Sequence, residues 1–315
     1  MNIHIAVQGL SDDIKSRLQQ CLAGHTCHFV PPDDVQEARR RVNDADVIFG
    51  NVPADWLAGA TRLRWLQLDS AGADDYIPLL ANPDAKLIIT NLRDFYGRAV
   101  AEVVMAGLLA HFRCLPALLA AQGERKWVKP VVEPGINRLH GRQVLILGKG
   151  SIGSRLGDIL RSLECSVDHF ARSTAGATLR TLAELEERLP RADIVVNTLP
   201  HTPATINLLD ARRLDLFSPS AIFANAGRGS VVDENALIER LRDGRIAGAV
   251  LDVTQEEPLP ADNPLWQLPN VILTQHTGGR FPDEIRAKVD VFLKNLKRFE
   301  AGEPLHGQLD PRRGY

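Results

Sequence analysis

Three separate segments of the chain carry residue types that together suit one kind of chemistry. They are Asn225-Ala226-Gly227-Arg228-Gly229, Asp252-Val253-Thr254-Gln255-Glu256-Glu257-Pro258, and residues 270–276, which end in His276. Reducing a 2-keto acid by hydride transfer needs a cation for the carboxylate and a proton for the oxygen that becomes the alcohol. Arg228 offers a planar fork that matches a carboxylate through two hydrogen bonds. His276 can deliver a proton near neutral pH, and a neighbouring carboxylate such as Glu257 would hold the ring. Each residue taken singly has a plainer reading. There are nine histidines, and His4 and His169, which fall within strand-like runs, read as ordinary core or surface residues. Arg228 alone could serve a turn, and Glu257, followed by a proline, could simply be solvated.

A second signal raises the value of the first. Gly148-Lys149-Gly150-Ser151-Ile152-Gly153 has the G-x-G-x-x-G spacing. It follows the apolar run Val144-Leu145-Ile146-Leu147 and opens a helical pattern with Ile152, Leu156, Ile159, Leu160 and Leu163 on one face. That strand–turn–helix context is what a dinucleotide loop requires. Gly148 permits the tight turn, Gly150 lets the backbone approach a pyrophosphate, and Gly153 lets helix and strand pack closely. The helix start at Ser151 and Ile152 presents N–H groups and a positive dipole end to the phosphates. The plainer alternative is a glycine loop that binds nothing.

The next strand ends at Phe170, where an acidic residue normally follows to bind the adenosine ribose of NAD. Here Ala171 takes that position and Arg172-Ser173 come next. No carboxylate repels a 2′-phosphate, Arg172 can bind one, and Ser173 can add a hydroxyl. The reading is a preference for NADPH and NADP, with NADH and NAD as possible substitutes. The alternative is a surface arginine without a ligand.

These residues need a scaffold that delivers them to one place. Short β-branched runs alternate with amphipathic helical patterns along the whole chain, the mark of parallel sheets covered by helices. Strands are expected at 3–7, 47–49, 65–68 and 87–90, then at 144–147, 166–170, 193–196, 221–224, 249–251 and 271–274. A single long helix is expected over 97–120 and a last one over 283–299. The fold class is therefore α/β, two open parallel sheets. A chain that crosses once into the second domain can cross back. Ligands of such sheets lie outside the carboxyl ends of the strands, which is where Arg228, Glu257 and His276 fall.

The bulk properties narrow the class further. A chain of 315 residues is comfortable for two domains. A net charge of -2 and the absence of a basic stretch argue against nucleic acid or an anionic membrane as partner. The four cysteines show no metal-ligand spacing, so no metal site is expected. No apolar run approaches a membrane span, and the first strand runs straight into Ser11-Asp12-Asp13, which a signal peptide would not do. The expectation is a cytoplasmic protein.

Taken in order, the motifs resemble those of the D-isomer-specific 2-hydroxyacid dehydrogenase family over nearly the whole chain. Leu68-Asp69-Ser70-Ala71-Gly72-Ala73-Asp74 is similar to its substrate-carboxylate loop. Asn91, Ala101-Glu102 and Arg113-Cys114-Leu115-Pro116 resemble its interdomain segment. The glycine loop, Leu199-Pro200-His201-Thr202-Pro203-Ala204-Thr205, the arginine, glutamate and histidine segments, and Pro264-Leu265-Trp266 follow in the family's order. So does a tail from Asn295-Leu296 through Gly302-Glu303-Pro304-Leu305 to Gly314-Tyr315.

The resemblance implies two flavodoxin- or Rossmann-like domains with an interdomain cleft. Residues 1–94 plus 283–315 would form the substrate domain and 95–282 the dinucleotide domain. Arg228 would bind the substrate, and His276 paired with Glu257 would be its acid in reduction and its base in oxidation. Backbone amides of Ala71 and Gly72 would take the carboxylate. Asp252 would hold the nicotinamide carboxamide, and Leu199, Pro200, Ala226 and Gly278 would line the cofactor. A homodimer is implied as well. Three departures stand out: Ala171 for the usual acid, Gln275 where a proline usually precedes the histidine, and Thr254 where an aromatic is common. The sequence reading is a reductase of small 2-keto acids of the glyoxylate and hydroxypyruvate kind. Its alternatives are an enzyme for bulkier keto acids and a non-catalytic dinucleotide sensor.

Overall fold

The computed structural model describes residues 1–29, 34–80, 86–172 and 174–312. The chain divides into two compact units, residues 1–95 with 281–315, and residues 96–280. The sequence placed these breaks after 94 and 282. The structure keeps Phe95 and Phe281 in the first unit, where their rings meet at 5.4 Å.

In the first unit, β1 (Asn2–Ile5), α1 (Asp12–Cys21), β2 (Thr26–Phe29), α2 (Val35–Asp44), β3 (Val47–Phe49), β4 (Trp65–Gln67) and β5 (Ile88–Thr90) follow in turn. The five strands are parallel in the order β2-β1-β3-β4-β5. β2 was not foreseen. Its residues Thr-Cys-His-Phe are half-buried or exposed at the sheet edge, so it lacks the apolar run that marks the central strands.

The second unit contains α3 (Gly97–Phe112), α4 (Leu115–Gly123), α5 (Lys129–Val132), β6 (Gln143–Leu147), α6 (Ser151–Ser162), β7 (Ser166–Phe170), α7 (Leu182–Arg188) and β8 (Ile194–Asn197). It continues with α8 (Ala211–Leu214), β9 (Ile222–Asn225), α9 (Glu234–Arg242), β10 (Gly248–Leu251) and β11 (Val271–Leu273). All six strands are parallel, in the order β11-β10-β9-β8-β6-β7. The central strands are buried on both faces, as apolar runs such as Val144-Leu145-Ile146-Leu147 require. One face packs against α3 and α6 through Val104, Leu108, Leu156 and Leu160. The other carries Leu145, Leu185, Phe223, Leu237 and Leu241.

The helix α10 (Glu284–Ala301) returns to the first unit. Phe292 stacks on Phe49 at 4.4 Å and on Trp65 at 5.4 Å, and Val289 and Leu296 join the same core. Such stacked aromatic pairs contribute about 0.5–1.5 kcal/mol beyond their area, enough to fix the docking of one helix face.

The long helix expected over 97–120 is two helices, bent by 72° between α3 and α4. Pro116 lacks the N–H that would continue the α3 ladder onto the Phe112 carbonyl. Cys114 turns left-handed at φ 53° instead, and the Asn137 N–H takes the Phe112 carbonyl at 2.7 Å. Among the described residues no single helix is long and apolar enough to cross a membrane.

Candidate active site

In the second unit the order of strands reverses between β6 and β8, so their carboxyl ends form the topological switch point where open α/β sheets bind ligands. The glycine loop leaves β6 there. Gly148 adopts φ 109°, and a Cβ on it would collide with the Thr198 hydroxyl after β8. Gly153 has the Gly148 carbonyl 2.6 Å from where a Cβ would sit, so the helix starts pressed against the turn. Gly150 faces open space. The room in front of Gly150 and the start of α6 at Ser151 fit a pyrophosphate. Ile152 packs partly into the α3 and α6 core, so its side chain serves packing while its backbone belongs to the loop.

Below the loop lies His169 on β7. It is 1% exposed, and its Nδ1 lies 3.1 Å from the Gly148 carbonyl, which it reaches as a donor. Burial pushes its pKa down from the ordinary histidine value. The sequence reading left this residue without a task; in the structure it braces the first glycine.

At the end of β7, Ala171 is buried, and Arg172 is exposed and donates to the Ala204 carbonyl at 2.8 Å. Ser173 lies outside the described residues. Two further cations lean over the same turn, and sequence reasoning did not single them out. Lys149 donates to the Gly176 carbonyl, and Arg180 contacts the Thr174 carbonyl at 3.5 Å. Lys149 stood inside the glycine motif, and a basic residue there was the available signal.

The loops after β8 and β9 are tied together. Leu199 and Pro200 lead from β8, with the Thr205 hydroxyl donating to the Pro200 carbonyl at 2.6 Å. Gly227 lies so close to Leu199 that a Cβ would sit 2.5 Å from the Leu199 carbonyl. Ala226 is buried and donates its N–H to the Asn197 carbonyl at 3.0 Å. Arg228 follows on extended backbone, half-buried, with Nη1 donating to the Gly227 carbonyl at 2.9 Å.

His276 and Glu257 meet after β11 and β10. The ring Nδ1 lies 2.6 Å from Glu257 Oε2, a short charge-assisted bond. Glu257 Oε1 accepts the Thr254 N–H at 3.0 Å. The glutamate loop is held in turn by Glu234, whose carboxylate accepts from the Gln255 N–H at 2.7 Å and the Asn263 amide at 3.3 Å. The His276 side chain is 54% exposed, and its Nδ1 is the ring nitrogen that Glu257 engages. Asp252, 6% exposed, fixes the histidine loop from three sides. Its backbone carbonyl takes the His276 N–H at 2.6 Å, and its Oδ1 takes the Thr274 hydroxyl at 2.6 Å and the Gly278 N–H at 3.1 Å. Gln275 and His276 are both left-handed, at φ 51° and 55°. Proline cannot adopt that conformation, so this backbone does not accept a proline at 275. A pocket of about 410 Å³ opens beside the pair, lined by Leu251, Leu259, Trp266 and Leu273 as well as Thr254 and Gln275.

In the first unit, Ala71 and Gly72 lie half-buried after β4. Their carbonyls are fixed by Asn91 Nδ2 and by the Ser70 hydroxyl, each at 2.7 Å. Among the described residues neither of their N–H groups has a partner, which leaves two adjacent donors able to receive an anion.

The model of the D-isomer-specific 2-hydroxyacid dehydrogenase NAD-binding domain matches residues 105–278, more than half of the chain. The chain belongs to this family. A glyoxylate/hydroxypyruvate reductase A from Escherichia fergusonii is 31% identical over 273 residues, 84% of this chain and 85% of that protein. Among solved structures, the chain is similar to a D-isomer-specific 2-hydroxyacid dehydrogenase from Xanthobacter autotrophicus Py2 in complex with NADPH and MES. That likeness has a TM-score of 0.83 and 30% identity, covering 100% of this chain and 99% of the other. It is also similar to an NADPH-dependent glyoxylate/hydroxypyruvate reductase from Sinorhizobium meliloti in complex with NADP and sulfate. There the TM-score is 0.84 with 25% identity, covering 100% and 99%. Family membership makes the chain an NAD(P)-dependent oxidoreductase, in a family that acts on small 2-hydroxy and 2-keto acids. Its two parallel α/β sheets are those of the family fold.

Proposed function

We propose that the chain reduces small 2-keto acids, glyoxylate and hydroxypyruvate foremost, to the corresponding 2-hydroxy acids, of D configuration where the product is chiral, and that it prefers NADPH. The observation that carries the reaction is the 2.6 Å bond between His276 Nδ1 and Glu257, close in the sheet to the Arg228 loop. With Nδ1 engaged, the protonated ring presents Nε2–H to the carbonyl oxygen. A reduced nicotinamide, when bound, would supply the hydride for the carbonyl carbon. His276 gives its Nε2 proton to the oxygen as the C–O double bond becomes single. Glu257 stabilises the ring while it is positive and keeps it oriented. Arg228 binds the carboxylate with its fork. Asp252 has Oδ2 to offer a carboxamide, because Oδ1 is already taken by Thr274 and Gly278.

The preference for NADPH rests on Ala171 in place of an acid and on Lys149, Arg172 and Arg180 around the turn that follows β7. Similar proteins solved with NADPH and NADP support it. Steady-state kinetics with glyoxylate, hydroxypyruvate, pyruvate and a bulky aryl keto acid, each with NADPH and NADH, tests both parts. A higher kcat/KM for the two short acids with NADPH is expected; selectivity for the aryl acid or for NADH would reject the corresponding part.

We further propose a homodimer. Leu115, Leu119, Trp127 and Val131, at 43%, 65%, 89% and 78% exposure, place much apolar surface in one stretch of the second unit. Light scattering on the purified chain should give twice the 34.7 kDa chain mass; a monomer mass would reject it.

A further inference from the structure

Two buried amides connect the cofactor side of the site to the substrate side. Asn197 ends β8 and Asn225 ends β9, and the parallel register sets them side by side. They are 0% and 3% exposed. Asn197 Nδ2 donates to Asn225 Oδ1 at 2.8 Å and to the Arg228 carbonyl at 3.4 Å. Asn225 Nδ2 donates to the same Arg228 carbonyl at 3.2 Å. Asn197 Oδ1 accepts the Leu199 N–H at 3.1 Å, and Asn225 Oδ1 accepts the Gly227 N–H at 3.2 Å.

A pair of leucines would fill this space in a β-sheet core, and replacing both partners of a buried polar pair by apolar groups of like shape is often nearly neutral for stability. What the amides alone can do is satisfy three backbone groups that have left the sheet ladder: the Leu199 and Gly227 N–H groups and the Arg228 carbonyl. Those three groups lie in the two loops that face the ligands. The Leu199 loop rests on Gly227 with no room for a Cβ between them. A shift in either loop therefore moves the other.

We propose that Asn197 and Asn225 are positioning residues that hold Arg228 against the Leu199 loop and thereby couple dinucleotide binding to capture of the substrate carboxylate. The proposal rests on the reading of Arg228 as the carboxylate clamp. Through the pair, a dinucleotide that orders the Leu199 loop also orders the Arg228 backbone, and linkage makes the effect reciprocal.

The probe is oxalate, whose planar dicarboxylate resembles the carboxylate and carbonyl of glyoxylate. Its Kd is measured by calorimetry with and without saturating NADP, in the wild type, in Asn197→Leu, in Asn225→Leu and in the double variant. Thermal unfolding and kcat/KM for glyoxylate are measured beside it. The wild type should bind oxalate at least about tenfold tighter with NADP present, within the usual range of coupling between sites. Asn225→Leu should weaken oxalate about tenfold and lower kcat/KM to match, while the NADPH Kd stays within about threefold. Asn197→Leu should bring the two oxalate Kd values together. The double variant should be no more stable than either single, because the Leu199 and Gly227 N–H groups and the Arg228 carbonyl all lose their side-chain partners. It should lack coupling while keeping the NADPH Kd within about threefold, a separation that a merely structural pair would not give. Coupling retained in the double variant, or wild-type oxalate binding in Asn225→Leu, would overturn the proposal. A wild type in which NADP does not affect oxalate would overturn it too, and would leave the proposed reaction standing if glyoxylate is still reduced. A wild type that shows the coupling but reduces no 2-keto acid would reject the reaction and support the positioning role.

Discussion

Replacing Gln275 by proline restores the residue usual in the family, and it is expected to damage this enzyme. Proline holds φ near about −65°, whereas Gln275 sits at 51°, so the backbone would have to turn by roughly 115°. The missing proline N–H is not the difficulty, because among the described residues the Gln275 N–H has no partner. The difficulty is what the turn carries. His276, the next residue, is also left-handed, at φ 55°, and is held by its N–H to the Asp252 carbonyl at 2.6 Å. Turning residue 275 breaks that bond and moves the imidazole away from Glu257. A displacement of about 1 Å in a positioned catalytic group costs on the order of a hundredfold in rate. The expected result is a fall of that size in kcat/KM at saturating NADPH, with NADPH affinity little changed. Gln275→Gly gives the opposite control. It relieves a left-handed strain of about 1 kcal/mol, offset by the roughly 0.4–1 kcal/mol of unfolded-state entropy that glycine adds, so Tm should stay within about 2 °C of the parent and kcat within about twofold. Steady-state kinetics and calorimetry decide the matter. A proline variant as active and as stable as the parent would refute the idea that left-handed backbone at 275 and 276 presents the histidine.

Three other predictions address charge. Glu257→Gln should lower kcat/KM for reduction by about tenfold or more, because the ring loses the carboxylate that holds its Nδ1; an unaltered rate would remove Glu257 as the partner. Arg172→Ala should raise KM for NADPH by about ten- to a hundredfold, the range of a charge-assisted bond, leave NADH nearly unchanged, and show a smaller effect at high salt; an unaltered cofactor ratio would point to Lys149 or Arg180 instead. Stability should fall on acidification from about pH 6.5 toward 4. Burial, with His28 and Arg41 nearby, pushes the buried His4 down to about 4, and burial lowers His111 and His169 as well. The unfolded chain then binds more protons than the folded one in this window, so stability is complete above it and lost as pH falls through it. His4 alone accounts for at most about 3 kcal/mol. Calorimetry at pH 7.5 and 4.5 should show a smaller acid loss in His4→Phe than in the parent, and equal losses would contradict the assignment.

What could be read from the sequence is what local pattern encodes. The glycine loop was legible because strand, turn and helix lie within one short stretch. The central strands were legible because burial on both faces demands runs such as Val144 to Leu147. The edge strand β2 was not, since its half-exposed residues carry no such run. The break after α3 was missed because periodicity alone carried the helix across Pro116, whose missing N–H ends the ladder. The Asn197–Asn225 pair could not be seen, because only the sheet register brings together residues 28 positions apart. The left-handed turn at Gln275 and His276 gave no glycine or asparagine as a warning. It is sustained by the Asp252 contacts from the end of β10, which are tertiary in origin.

The central claim is that His276 gives the proton in reduction of a 2-keto acid on a dinucleotide site built by other residues. The measurement that tests it most directly is the loss of 340 nm absorbance with NADPH and glyoxylate for wild type and His276→Ala, with NADPH affinity taken from fluorescence titration of the same samples. Wild type should turn over, and the variant should lose about 10²–10⁴-fold in kcat while binding NADPH with nearly the same Kd. A variant that turns over at the wild-type rate, or a wild type that binds NADPH and reduces no 2-keto acid, would contradict the account.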